Sequence, residues 1–493
     1  MREIITLQLG NLSNYVANHF WNAQESYFTY SEQDSSPVDH NIHWRTGLGS
    51  DGSDTFLPRT VIYDLKGGFG TLKKINALYE DASQVSASST WGGPSAVHKQ
   101  EALHPSAYQQ SLDAGTEAPR LTKSSVRYWS DFSRVYYHPK SLVQLYDYEL
   151  NSTIMPFERH SMGIELFHSL DKEHDIVDRD WRPFVEECDQ MQGMQVLSTI
   201  DDAWGGFASS YVEALRDEYP KTCIWLWGIQ NPILSAPRDK RQLRLANTAQ
   251  ALTRTREHAS IMVPLAVPEG DLPSSIGLDA SSSWHSSALL ATAVETASLP
   301  SRLKQQSTSK TASLSDMAES LNVAGNQTLA TMKMTVGPKA APSDDDGLNI
   351  SLSRLGLMKP QTRSRDPRVF GLLSVYRGTK IDTEEDEAQD AKAKRRIIGN
   401  TVIQRYTTDL GFPSLDSFPS IYTDKTEDDS RMNVRATVST DDSIVEQMRT
   451  LRSHVTWSVG PDERETLSND LAEMADAYHD DWSSGSDEDD DDL

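Results

Sequence analysis

The alternation of strand-like and helix-like segments near the start of the chain is the feature that most limits its fold. Residues 3–9 (EIITLQL) form an apolar run that ends at Gly10, and residues 12–21 follow with apolar or aromatic side chains at helical spacing. A second unit begins at residues 60–65 and passes through a glycine-rich turn into the helical pattern TLKKINALYE. A strand, a glycine-bearing turn and a helix, repeated along the chain, predict an α/β fold with a parallel sheet.

The composition of the later segments divides the chain into four predicted parts. We predict an N-terminal α/β domain over residues 1–268, with a disordered insert at 81–123 where Ser, Ala, Gly, Pro and His show no period. Residues 269–365 are rich in Ser and Thr and predict a linker with helices, while residues 366–480 predict a smaller α+β domain. Residues 481–493 are strongly acidic and predict a disordered tail.

The charge balance argues against two broad classes of binding partner. The chain has 47 Lys and Arg residues against 72 Asp and Glu residues, which gives a formal net charge of −25. An electrostatic field of that sign repels phosphate backbones and anionic lipid head groups. We therefore expect no direct binding to nucleic acid and no general binding to a membrane surface.

Cysteine use and motif content argue against several classes of protein: disulfide-bonded, zinc-binding, membrane-spanning and common enzyme classes. Cys188 and Cys223 are the only cysteines, so we expect neither a disulfide framework nor a cysteine-based zinc site. The sequence contains no run of about 18 apolar residues, so we predict no transmembrane helix. No transit peptide or secretory signal is visible, so we expect a protein made in the cytosol. Walker A, HExxH and GxSxG motifs do not occur and the 13 histidines are scattered. The residues therefore predict no metal site and no catalytic residue.

Four ordered motifs resemble those of tubulins. The opening MREIITLQLGNLSNYVANHFW is similar to the first strand, Gly-Asn turn and helix of tubulins, and PRTVIYDLKGG is similar to their second strand and the loop after it. EECDQMQGMQ and the later ALRDEYPKT resemble the tubulin stretches on either side of the phosphate-binding loop. The resemblance spans residues 1–230 and implies a tubulin-like fold. It also assigns five residues to the remnant of a nucleotide site: Gly10, Asn11, Asp64, Gly205 and Gly206.

The same region departs from tubulins where GTP would bind. Tubulins hold the phosphates on a glycine-rich loop, but residues 200–206 here read IDDAWGG, which places Asp201 and Asp202 beside the phosphate position. Two like charges about 4 Å apart repel by roughly 4 kcal/mol at an effective dielectric constant near 20. Lys66 replaces a tubulin glutamate that helps to hold magnesium, and residues 284–290 lack the tubulin loop that completes hydrolysis. We therefore predict a chain that is not an enzyme, with no resident cofactor. Any GTP binding should be weak and should need magnesium bridged by the two aspartates.

These departures, together with the DDAWGGF and HPKSLVQL stretches and the long insert, resemble the Misato family in its fungal form. That resemblance implies a non-polymerising, tubulin-like protein that acts in partitioning mitochondria and in mitochondrial DNA inheritance. It further implies localisation at the mitochondrion, with a possible cytoplasmic pool, and protein partners at the mitochondrial surface or in the cytoskeleton. Two alternatives remain open at this point: a GTPase of tubulin type, and a chaperone-linked assembly factor for cytoskeletal partners.

Overall fold

The computed structural model describes most of the chain: residues 2–29, 35–48, 54–72, 103–233, 236–268, 272–305, 311–337, 347–352, 368–378, 401–423 and 431–479. The helix that the sequence predicts after Gly70 lies outside these residues, as do the acidic tail and residues 81–102 of the insert. The remaining insert residues, 103–123, include a helix at residues 107–114 in which Tyr108 is buried. This part of the predicted insert is therefore ordered.

The first half of the chain alternates strands and helices. Its elements are β1 (Glu3–Leu9), α1 (Asn11–Glu25), β2 (Trp44–Leu48), β3 (Asp54–Pro58), β4 (Thr60–Lys66), α2 (Ala107–Ala114), β5 (Leu142–Glu149), α3 (His160–His174), α4 (Arg182–Glu186), β6 (Met191–Thr199), α5 (Ala203–Glu218), β7 (Cys223–Ile229), α6 (Arg238–Thr255) and β8 (Ile261–Leu265). Six strands form one parallel sheet in the order β5-β4-β1-β6-β7-β8. The predicted α/β class with a parallel sheet is confirmed.

The second half builds a smaller sheet. Its elements are α7 (Ser283–Ser298), α8 (Leu314–Leu321), β9 (Thr331–Val336), β10 (Leu348–Asn349), β11 (Val369–Arg377), β12 (Val402–Thr408), β13 (Phe412–Pro413), β14 (Arg431–Met432), β15 (Val434–Asp441), α9 (Ser443–Ser458) and α10 (Pro461–Asp476). The sheet order is β10-β9-β15-β11-β12, and only β11 and β12 pair in parallel. This mixed sheet with its two terminal helices is a smaller α+β unit, and two of its strands, β9 and β10, lie before the predicted start at residue 366.

The structure differs from the sequence-based prediction over residues 269–365. The predicted linker supplies α7, whose residues are almost all buried, and two strands of the second sheet. Its Ser and Thr residues do not prevent burial, because their hydroxyl groups donate to carbonyls of their own helix. Thr292 donates to the Ala288 carbonyl at 2.9 Å, and Ser298 donates to the Val294 carbonyl at 2.7 Å. Hydroxyl groups that are satisfied locally can enter a core without the cost of unpaired polar atoms.

Apolar cores lie on both faces of the first sheet. On one face α1 and α7 pack between the two sheets, with Phe20, Leu290 and Val438 in the same buried cluster. On the other face α3, α5, α6, α9 and α10 form a helical layer around residues such as Phe207 and Met448. Covered faces on both sides are what a parallel sheet requires. No helix within the described ranges is long and apolar enough to cross a membrane.

Candidate functional site

The carboxyl ends of β1, β4, β5 and β6 meet the N-terminus of α5 around one cavity. Its volume is about 320 Å³. Ligands of open parallel sheets commonly bind at this edge. The charged or aromatic side chains in its lining are Glu149, Phe157, Glu158, Asp201, Asp202, Trp204, Lys240 and Arg244, and Asn11 and Asn231 also contribute.

Gly10 forms the turn between β1 and α1, and the indole of Trp204 covers it. The backbone of Gly10 has a φ of 93°, a conformation that favours glycine. A Cβ atom at this position would lie 2.7 Å from Cδ1 of Trp204. The indole is 4% exposed and packs edge-to-face on Phe157, with ring centroids 5.4 Å apart. The space above the Gly10 turn is therefore filled by a side chain of the protein itself.

Asn11 and Asp64, which the resemblance assigned to one site, contact each other. The Asn11 amide donates to Oδ2 of Asp64 at 3.3 Å, and the same oxygen accepts from Asn14 at 3.0 Å and from the Trp129 indole at 3.2 Å. Burial raises the pKa of Asp64 to about 6, although these hydrogen bonds act to lower it. Asp64 thus ties β4 to α1 and to the segment around Trp129.

Sequence reasoning missed Asn14 and Trp129 in this cluster. Asn14 follows Asn11 by three residues on α1, and that spacing places two side chains on one helix face. The spacing was a usable signal. Trp129 is distant in sequence and carried none.

Asp201 and Asp202 are both satisfied within the chain. Asp201 accepts from the backbone and side-chain amides of Asn231 at 3.0 and 2.8 Å, and Nε of Arg244 lies 3.8 Å away. Asp202 caps α5: its Oδ1 accepts from the Trp204 N–H at 2.9 Å and from the Thr199 hydroxyl at 2.7 Å. Burial raises the pKa of both carboxyl groups, and the charge of Asp201 raises that of Asp202 further.

Gly205 and Gly206 serve helix packing and do not line the cavity. A Cβ atom on Gly206 would lie 1.9 Å from the His160 carbonyl oxygen in α3, and one on Gly163 would lie 1.8 Å from the Ala203 carbonyl oxygen in α5. At Gly205 the nearest atom would be the Ile200 carbonyl oxygen at 2.9 Å. These glycines let α3 and the β6–α5 turn approach α5 closely. The structure therefore brings Gly10, Asn11 and Asp64 near the cavity and assigns the other two predicted residues to packing.

The cavity carries more negative than positive charge. Its lining contains four carboxylates and two cationic side chains. Lys240 pairs with Glu158 at 2.8 Å, and Arg244 donates to the Pro232 carbonyl at 2.8 Å beside Asp201. Lys66, which replaces the tubulin glutamate, lies 3.8 Å from the carboxylate of Glu149. In the described part of the chain, no group of three or more His, Cys, Asp or Glu residues could hold a metal ion.

Comparisons with known proteins agree with this architecture. Residues 2–114 match the family described as Misato Segment II tubulin-like domain, and residues 118–303 match the family described as Tubulin domain. The chain is 56% identical to Protein DML1 of Gibberella zeae and 47% identical to Protein dml-1 of Neurospora crassa, with full coverage of both chains in each case. It is 30% identical to Protein misato homolog 1 of Bos taurus over 73% of this chain and 69% of that protein. The chain therefore belongs to the Misato family of tubulin-like proteins.

Proposed function

We propose that this protein is a non-polymerising, tubulin-like scaffold that acts in the partitioning of mitochondria and mitochondrial DNA, and that it does not hydrolyse GTP. The proposed lack of GTP hydrolysis is supported mainly by the position of the Trp204 indole, which fills the space above the Gly10 turn. The mitochondrial role rests on membership of the Misato family, because that resemblance implies it. Localisation at the mitochondrion through protein partners is part of the same proposal.

The electrostatics of the site support this proposal. The first-turn N–H group of Trp204, which could otherwise donate to an anion, already donates to Asp202. A bound triphosphate would lie beside the carboxyl group of Asp201, which is buried, and that of Asp202, which is partly buried. Each close pair of like charges costs roughly 4 kcal/mol at about 4 Å. A tubulin-like chain without hydrolysis lacks the step that drives polymer turnover.

Nucleotide assays on the purified full-length protein test the biochemical half of the proposal. We expect no bound GTP or GDP after purification, no steady GTP turnover and no filaments with GTP. Any GTP binding should disappear in excess EDTA. Asp202→Gly should strengthen magnesium-dependent binding, whereas Asp217→Asn, at an exposed acid on the same helix, should not. Tight GTP binding by the natural protein in EDTA would contradict the proposal and favour a GTPase of tubulin type.

Depletion in cells tests the mitochondrial half. We expect mitochondria to be inherited unequally and mitochondrial DNA to be lost before any spindle defect appears. Time-lapse imaging of labelled mitochondria and counting of mitochondrial DNA copies measure the two effects. If depleted cells keep a normal mitochondrial network and inherit the DNA evenly, the functional assignment fails even though the fold stands. Early loss of folded cytoskeletal proteins would instead support the assembly-factor alternative.

A further inference from the structure

The cavity at the sheet edge is large enough and open enough to admit one side chain of a partner protein. Its volume of about 320 Å³ lies at the low end for ligand pockets, which range from about 300 to 1,000 Å³. Asn151, Pro156 and Lys240 line it and are exposed, so they mark its opening. Phe157 and Trp204 lie deeper and are 8% and 4% exposed.

The lining is suited to a cation. Both cationic side chains in the lining are already engaged: Lys240 with Glu158, and Arg244 with the Pro232 carbonyl beside Asp201. Within the described ranges, Asp202 accepts from the Thr199 hydroxyl and the Trp204 N–H, which are both neutral donors. Burial raises the pKa of Asp202, which means that the ionised carboxylate is less stable in this site than in water. An incoming positive charge would stabilise that carboxylate.

The aromatic walls favour the same kind of group. Phe157 and Trp204 pack edge-to-face with centroids 5.4 Å apart, and both line the cavity. Aromatic faces attract ammonium and guanidinium groups within about 6 Å, and the attraction grows when the cation is shielded from water. Carboxylates and aromatic rings together therefore favour lysine or arginine over a neutral side chain.

The rim of the cavity adds an exposed apolar surface. Ile154 is 90% exposed and Met155 is 54% exposed, and Ile154 is the most exposed large apolar side chain among the described residues. Both lie in the loop between Asn151 and Pro156, which line the cavity. Adjacent exposed apolar side chains beside a pocket with polar groups are typical of protein–protein contact sites.

We propose that this cavity and its rim form the docking site for a basic segment of a protein partner. A lysine or arginine of the segment enters the cavity toward Asp202, and apolar neighbours of that residue cover Ile154 and Met155. The net charge of −25 favours a basic protein and disfavours nucleic acid or an anionic membrane as the occupant. This inference rests on the proposed scaffold function, because it describes how the scaffold recognises a partner.

A peptide-binding experiment with the full-length protein tests the site. The probe is a fluorescent 12-residue peptide with the core Leu-Arg-Leu-Lys between Gly-Ser flanks, and the matched probe has Glu in place of Arg and Lys. Fluorescence anisotropy measures binding. We expect the basic peptide to bind at least about tenfold more tightly than the acidic one. Combined Ile154→Ser and Met155→Ser should weaken binding of the basic peptide about tenfold, and so should combined Glu149→Gln and Asp202→Asn.

Matched variants separate the site from general charge attraction. Glu173→Gln removes an exposed carboxylate at the far end of α3, and Val323→Ser removes an exposed apolar side chain elsewhere; both should leave binding unchanged. The docking site would be overturned if Glu173→Gln weakened binding of the basic peptide as much as the site variants do. It would also be overturned if the acidic peptide bound as tightly as the basic one. If free arginine amide competes as well as the peptide, the occupant is a small amine and the partner proposal fails. None of these results depends on the depletion experiment, so the two proposals can fail separately.

Discussion

At the scale of single residues, the carboxyl group of Asp202 links the stability of this protein to pH. Burial, and then the charge of Asp201, raise its pKa above the ordinary value of 3.8, so the folded chain binds this proton more tightly than the unfolded chain does. Its contribution to stability is therefore fully present below the ordinary pKa and is lost as the pH rises through the raised pKa. The ionised form of this carboxyl group therefore destabilises the fold at neutral pH.

We predict that Asp202→Asn stabilises the protein at pH 8. Asparagine keeps the side-chain oxygen that accepts from Trp204 and Thr199 but removes the partly buried charge. The free energy of unfolding should rise by about 1–2 kcal/mol at pH 8, since one pKa unit corresponds to about 1.4 kcal/mol. The gain should shrink toward pH 5, where the natural carboxyl group is protonated. Urea unfolding at the two pH values measures it.

Asp217→Asn is the matched control for this prediction, because Asp217 lies exposed on the same helix. Its effect on the free energy of unfolding should be small and should not change between pH 5 and pH 8. A variant Asp202→Asn that is less stable than the natural protein at pH 8 would show that the charge itself holds the start of α5 in place.

At the scale of elements, the contact between α3 and α5 depends on two glycines that face each other across it. Gly163 and Gly206 each meet a backbone carbonyl of the opposite helix, and this close approach leaves no room for a Cβ atom. We predict that Gly206→Ala lowers the free energy of unfolding by about 3 kcal/mol, because the helices must separate to admit the methyl group. Thermal or urea unfolding of the purified variant measures the loss.

Gly277→Ala provides the comparison, since a Cβ atom there would meet its nearest neighbour, Thr423, at an ordinary 3.9 Å. It should change stability little. Unchanged stability in Gly206→Ala would mean that the helices can move apart freely, and the packing role of this glycine would then be wrong.

At the scale of the whole molecule, one buried carboxylate joins the second sheet to the segment that follows α1 in the first half of the chain. Glu295 on α7 accepts from Arg302 at 2.8 Å and from Arg377 at the end of β11, and it also accepts from Tyr27 at 3.0 Å. Arg377 in turn donates to the Gly411 carbonyl at 3.0 Å. Although burial acts to raise it, the two arginines hold the pKa of Glu295 below its ordinary value.

We predict that Glu295→Ala destabilises the protein by about 3–5 kcal/mol, because it leaves two arginines buried without a counter-charge. Urea unfolding followed by tryptophan fluorescence and by circular dichroism measures the loss. Glu319→Ala, at an exposed acid on α8, should have little effect. A loss below about 1 kcal/mol would indicate that water reaches the arginines and that the network does not hold the halves together.

The sequence by itself determined the class of fold and the order of its main elements. The apolar run of β1, the turn at Gly10 and the helical spacing of α1 depend on near neighbours in the chain, so the pattern could be interpreted residue by residue. The tubulin-like motifs added the location of the site and its altered loop at Asp201 and Asp202. Charge and residue type, which the sequence states directly, were enough to predict that the loop opposes a triphosphate.

Only the tertiary structure decided what the individual side chains of the site contact. It placed the Trp204 indole over Gly10, turned Gly206 toward α3 and buried α7 although its sequence is rich in Ser and Thr. Each of these outcomes depends on atoms that lie far apart in the chain or belong to different elements, and local patterns carry no information about such distances. A phosphate-binding loop and a tight helix contact both suit glycine for the same reason, which is that glycine has no Cβ atom. Only the neighbouring atoms in the folded protein show which of these two roles a glycine has.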